Sequence, residues 1–234
     1  TGVAEGNINS ERLIAMLNVV GDELVVDEKG VYSAEKFIVG RRLMYWQVYL
    51  HKTGVVAEKM LVNLLKRANE LSLRGVELPA SKSFTYFLKN QITENNFNSN
   101  TLETFARLDD YDVLSAIKDW ISHSDKVLSL LAKMIINRDL LRIEFQKEEM
   151  TKGEFQDFFE MKKKESSFTK EELSYFIFKD SVQNQAYSSD KSKINIYFKN
   201  GNIVDLGQAS DQLNIQALTN PVVKHFVCYP KKMV

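Results

Sequence analysis

The segment Gly40–Lys52, GRRLMYWQVYLHK, concentrates the groups best suited to handling a phosphate. On a helix, Arg41, Tyr45, Tyr49 and Lys52 recur at i, i+4, i+8 and i+11 and so project along one side. Arg and Lys neutralise phosphate oxygens, and Tyr hydrogen-bonds or stacks on a sugar or base. The same pattern also describes a half-buried helix whose Tyr and Trp pack inward while Arg and Lys keep their charged heads in water. Periodicity alone favours that packing role.

Other reactive groups are scattered. The three histidines, His51, His123 and His225, form no HxxxH pair and none precedes an Asp. Cys228 lies in the apolar stretch His225–Tyr229, where a thiol behaves as a small hydrophobe unless a base stands beside it. Asp109, Asp110 and Asp112 are hard ligands that suit Mg²⁺, but Asp110 stands before a helix and reads more simply as its cap, with Asp109 and Asp112 favoured by the helix dipole. Neither GxxxxGK[ST] nor GxGxxG is present, so no glycine-rich phosphate loop is expected.

Composition narrows the classes. The chain has 234 residues, 31 basic against 31 acidic, and 44% hydrophobic residues. This excludes a disordered chain, a collagen and a polybasic tail, and gives no general pull toward nucleic acid. A single cysteine excludes an intrachain disulfide framework and a multi-cysteine zinc site, and fits a reducing, cytoplasmic compartment. No apolar run approaches the roughly 20 residues of a membrane helix. No leader-like segment opens the chain, and Thr1 stands where an initiator Met would, so a processed or truncated product is expected.

The elements that must position these groups follow from periodicity. Leu13–Val20 and Glu23–Asp27 flank Gly21-Asp22 and predict a hairpin. From Ser33, a possible cap, to Ser72 a four-residue step predicts one very long helix, or two with a kink near Thr53-Gly54. Shorter helices are predicted at Ser81–Asn90, Thr101–Leu108, Asp110–Ser122 and Asp125–Asn137. Leu140–Phe145 and Tyr175–Phe178 read as strands, and the charge-rich stretch between them as an amphipathic helix. Asn200-Gly201 marks a second hairpin, Gln208–Leu218 a helix, and Val222–Tyr229 a last strand. The expected architecture is mostly α with a smaller α+β C-terminal part, divided as 1–139 and 140–234, with a short β-hairpin near the N-terminus.

Several stretches carry a family resemblance: NINSERLIAMLNVVGDELVVDEKG, RRLMYWQVYLHKTGVVAEKML, LDDYDVLSAIKDW, INRDLLR and NQAYSSDKSKINIYFKNGNIVDLGQAS with VKHFVCYPK. Together they resemble the region downstream of the metal core in HD-domain phosphohydrolases, closest to the dNTP triphosphohydrolase-like branch. The resemblance implies a long-helix HD-type helical region. It also implies a metal centre, of Mg, Mn, Fe, Ni or Zn, whose His, His-Asp and Asp ligands all precede the point matching Thr1. This sequence contains no His-Asp dipeptide, so it is expected to be the C-terminal portion of such an enzyme, inactive alone, with no catalytic residue and no metal ligand of its own.

The resemblance further implies that Arg41 and Tyr49 contact a dNTP substrate, Arg41 at the phosphates and Tyr49 beside the sugar. It places His51, Lys52 and Arg138 near a regulatory nucleotide. Trp46 and Gln47 stand where a vertebrate member has two Arg, so substrate preference or control could differ. Relatives hydrolyse a dNTP to deoxynucleoside and triphosphate and form dimers or tetramers, so a homo-oligomer, a nucleotide substrate and a nucleotide activator are the implied partners. The alternative is a non-catalytic module binding a nucleotide or a protein. A nucleic-acid binder, resting only on the basic-aromatic helix, comes last.

Overall fold

The computed structural model describes residues 3–188, 193–210 and 220–232. The chain is mainly helical, with two small sheets, a strand pair near the N-terminus and an α+β C-terminal part. It folds as two compact units. One joins Thr1–Gly54 to Asp180–His225, and the other joins Val55–Lys179 to Phe226–Val234.

In the first unit, α1 (Ser10–Ala15) occupies the start of the predicted first strand. The Asn9 side chain accepts from the Arg12 N–H at 3.0 Å, and this local cap prevails over the β-preference of the apolar residues that follow. Strand β1 therefore begins only at Leu17 and runs to Val20, paired antiparallel with β2 (Glu23–Asp27). Gly21 and Asp22 both take positive φ, 59° and 68°, as the tight two-residue turn requires. Strand β2 then pairs parallel with β5 (Asn195–Tyr197), and β5 pairs antiparallel with β6 (Ile203–Asp205). Gly201, at φ 86°, turns that second hairpin.

Helix α2 (Val31–Met44) packs on this sheet. Its buried Val31, Ala34 and Ile38 meet Val26, Ile196 and Leu206. Each such side chain contributes on the order of 1.5–3 kcal/mol. The helix starts at Val31, two residues before the expected Ser33. The buried Gly30 ahead of it lets the chain pass close to the hairpin: a Cβ there would lie 2.6 Å from Val26 Cγ1 and 2.8 Å from Met16 Cβ. The predicted long helix is broken. After α2 comes a π-helical turn, Tyr45–Tyr49, and α3 (Lys52–Leu73) begins only after His51. The interruption thus falls at Leu50-His51, ahead of the expected Thr53-Gly54.

The second unit is built on α3, with Met60 and Leu64 fully buried. Around it lie α4 (Lys82–Lys89), α5 (Ser99–Ala106), α6 (Asp110–Trp120) and α7 (Lys126–Ile136). All four begin at a side-chain cap, from Ser81, Asn98, Asp109 and Asp125 respectively. Strand β3 (Arg142–Gln146) follows. The charged stretch then forms two helices, α8 (Lys152–Lys163) and α9 (Lys170–Leu173), each opened by a reciprocal Thr–Glu capping box.

The predicted strand at Tyr175–Phe178 is instead a turn through Ile177. The N–H groups of Phe176 and Ile177 donate to the Leu173 carbonyl at 2.9 Å, so β4 (Phe178–Asn184) starts later. Tyr175, Phe176 and Ile177 are buried as the apolar run suggested, but their backbone forms the turn that follows α9. Of the expected helix Gln208–Leu218, α10 (Leu206–Ala209) is seen, and 211–219 lie outside the described residues. Strand β7 (Val222–Tyr229) has the expected bounds and lies between β3 and β4 in a three-stranded sheet.

Candidate functional site

Arg41 sits in the last turn of α2, and Tyr45 and Tyr49 lie on the π-helical turn that follows. The turn is defined by the Leu50 N–H, which donates to the Tyr45 carbonyl five residues back at 2.7 Å. The Arg41 guanidinium lies over the Tyr45 ring at 5.3 Å from its centroid, and the Tyr45 and Tyr49 rings are 5.2 Å apart. Cation, ring and ring thus form one row.

Arg41 is fixed from a second side. Its Nη1 donates to the Ala186 carbonyl at 3.0 Å, and its other N–H groups have no hydrogen-bond partner among the described residues. The row lines a pocket of about 270 Å³ together with Gly6, Ile8, Phe37, Gly40 and Met44. Gly6 permits a close approach to Met44, since a Cβ there would meet Met44 Sδ at 2.5 Å. Tyr49 is 64% exposed, which puts it at the mouth. An exposed cation with spare donors beside two aromatic faces can hold an oxyanion and stack on a ring or sugar.

The other expected residues stand elsewhere. Exposed His51 accepts the Thr53 N–H on Nδ1 at 3.3 Å, which caps the start of α3. Lys52 is the first residue of that helix and is also exposed. Neither lines the pocket. Arg138 belongs to the second unit, where it follows α7 with a left-handed backbone, φ 57°. Asp109 accepts from the Tyr111 and Asp112 N–H groups, and Asp112 accepts back from the Asp109 N–H, so the acidic cluster is a helix cap with Asp109, one residue before the expected Asp110, as the capping residue. Cys228 is fully buried. Among the described residues, no group of three or more His, Cys, Asp or Glu is placed to hold a metal ion, and no helix is long and apolar enough to cross a membrane.

Sequence reading missed Gly6, Ile8 and Ala186. The Ala186 contribution is a backbone carbonyl, which leaves no signature in residue type. It also missed Lys224, whose Nζ lies 4.0 Å from the centroid of the Trp46 ring. Lys224 and Trp46 are far apart in sequence, and only the fold pairs them.

Comparison with known proteins places this pocket in a family context. Residues 8–78, which include Arg41, Tyr45 and Tyr49, match the HD associated region family. The chain is related to HD-domain proteins through that region. It is similar to a phosphohydrolase from Bacteroides thetaiotaomicron VPI-5482, with 43% identity and a TM-score of 0.88 over 98% of this chain and 58% of that one. It is also similar to the YwfO protein of Bacillus subtilis (strain 168), 29% identical over the whole of this chain and 53% of that protein. A hypothetical protein from Aquifex aeolicus, 21% identical with a TM-score of 0.61, shares the fold over 98% of this chain and 50% of that one. The chain therefore spans about half the length of these relatives.

Proposed function

We propose that this chain is the C-terminal portion of a metal-dependent HD-domain nucleotide phosphohydrolase that acts on dNTPs and releases deoxynucleoside and triphosphate. The observation that carries the reading is the Arg41–Tyr45–Tyr49 row, lining one pocket inside the stretch that matches the HD associated region. The similarity to the Bacteroides phosphohydrolase supports it.

In this reading Arg41 binds phosphate oxygens and offsets the charge that builds up on them during transfer. Tyr49 packs beside the sugar, where close contact disfavours a 2′-hydroxyl. At about 270 Å³ the pocket is below the ~300–1,000 Å³ usual for a small-molecule site, so it holds part of a nucleotide. The divalent metal of this reaction class, Mg, Mn, Fe, Ni or Zn, belongs to residues of the longer parent, an assignment that rests on the family resemblance. What this chain supplies is binding and orientation. Contacts of His51, Lys52 and Arg138 with a regulatory nucleotide, assembly as a homo-oligomer and a cytoplasmic location belong to the same proposal and rest on family resemblance.

The test is steady-state hydrolysis of a dNTP panel, with Mg²⁺ or Mn²⁺, by the longer parent protein and by this chain. The parent is expected to turn over dNTPs and the chain alone is not. Arg41→Ala in the parent should lower kcat/KM by about 100-fold. Unchanged kinetics would remove Arg41 from the site. A second reading, a non-catalytic nucleotide-binding module, is favoured by the pocket lining, whose only polar side chains belong to an Arg and two Tyr. Nucleotide binding by the parent with no metal-dependent product would select it.

A further inference from the structure

The contact that fixes Arg41 comes from a residue 145 positions away, and that residue is itself anchored. Ala186 and Tyr187 are 2% and 3% exposed and lie in the core of the first unit with Val26, Ile38, Ile196 and Leu206. The Tyr187 hydroxyl donates to Asp205 Oδ2 and accepts the Ile194 N–H at 2.9 Å. Asp205 Oδ1 in turn accepts the Gly207 N–H at 2.8 Å and caps α10, while the Leu206 N–H donates to the Ile194 carbonyl at 2.9 Å. One phenol oxygen thus ties together the chain before β5, the end of β6 and the start of α10. The peptide carbonyl next to it, that of Ala186, is the one that holds Arg41.

We infer that Tyr187 is a positioning residue for Arg41: its hydroxyl, held between Asp205 and the Ile194 backbone, keeps the Ala186 carbonyl where it orients the guanidinium for a phosphate. The inference rests on reading the Arg41 pocket as a nucleotide site. The geometry leaves the guanidinium one acceptor and one aromatic face, so a shift of the Ala186 carbonyl frees it to turn on its flexible stem. Burial and the Asp205 carboxylate also push the Tyr187 phenol up to about 12, so it remains a donor throughout the neutral range.

Calorimetric titration of the longer parent protein with inorganic triphosphate and with dGTP, in the presence of a chelator so that no turnover occurs, tests this, with a thermal melt of each variant. Tyr187→Phe is expected to weaken both ligands by about tenfold, a loss of orientation and not of a contact. The double variant Arg41→Ala, Tyr187→Phe should bind no more weakly than Arg41→Ala alone, because Tyr187 acts only through Arg41. Asp205→Ala should behave like Tyr187→Phe, and Asp205→Asn, which keeps an acceptor oxygen, should recover most of the loss. Wild-type affinity in Tyr187→Phe, or losses that simply add in the double variant, overturns the inference and leaves the nucleotide reading standing. If the wild-type parent binds neither ligand, the nucleotide reading itself falls, and the role of Tyr187 with it.

Discussion

Arg41 and Arg138 show how differently one residue type can be used. Arg41 is held by a carbonyl and a ring and keeps spare donors. Arg138 takes the position after a helix that normally belongs to glycine. Its N–H donates to the Ile135 carbonyl at 3.1 Å and the next N–H, of Asp139, to the Met134 carbonyl at 2.9 Å, the bonding of a left-handed helix stop. A side chain at φ 57° costs about 1 kcal/mol. Arg138→Gly should therefore raise the thermal midpoint by a few degrees. If Arg138 also contacts a nucleotide, the variant will lose the further stabilisation that added dGTP gives the wild type. A lower midpoint without ligand would contradict the strain account. At this scale the shared side of Arg41, Tyr45 and Tyr49 was legible from their spacing, which alone favoured a packing role. Ala186 was not, since any residue could supply its carbonyl.

Between elements, the decisive feature is the π-helical turn. It places one extra residue in the helix path, so positions after it rotate by about 100° relative to those before. Deleting the exposed Gln47 should restore ordinary helical spacing, leave the far-ultraviolet dichroism nearly unchanged, and weaken dGTP binding more than inorganic triphosphate binding, because it displaces Tyr49 and not Arg41. Retained binding would show that the turn is incidental. Gly30→Ala, which drives a methyl against Val26 and Met16, should cost about 1–3 kcal/mol in a urea melt. Helices α4 to α7 were legible from their apolar periodicity. The π turn was not, because its bond from Leu50 to Tyr45 depends on backbone geometry that apolar periodicity does not report. The strand expected at Leu13–Ala15 lost to a local asparagine cap, and the one at Tyr175–Ile177 lost to the carbonyl of Leu173. In both places a short apolar run was compatible with either structure.

At the scale of the molecule, stability turns on a few buried polar groups. In the second unit Arg67, 8% exposed, donates to both oxygens of Asp125 at 3.1 and 2.6 Å, and the Tyr175 hydroxyl donates to Glu70 at 2.6 Å beside it. Burial pushes Asp125 up. The Arg67 hydrogen bonds, the Leu128 N–H and the Arg67 charge outweigh it and hold the carboxyl below its usual range. A carboxylate so depressed stabilises the fold above its unfolded pKa, about 3.9, and that contribution disappears as pH falls through the folded value. Asp125→Asn should cost about 3 kcal/mol at pH 7. The gap in urea midpoint should narrow near pH 3, and a constant gap would refute the linkage. Cys228, fully buried, should react with a thiol reagent only as fast as the protein opens.

Neither compact unit is a continuous stretch of chain: the path changes unit after Gly54, after Lys179 and after His225. For the gene, this means that any single crossover between two alleles leaves at least one unit of mixed parentage. Exchanging the first unit alone takes three crossovers. Arg41 and the segment bearing Ala186 and Tyr187 lie on separate pieces of that unit, so recombination readily parts them. A working pocket is thus inherited as a matched pair of distant segments, and chimaeras that join one parent's helix to another's C-terminal strands are where mismatches should first be felt.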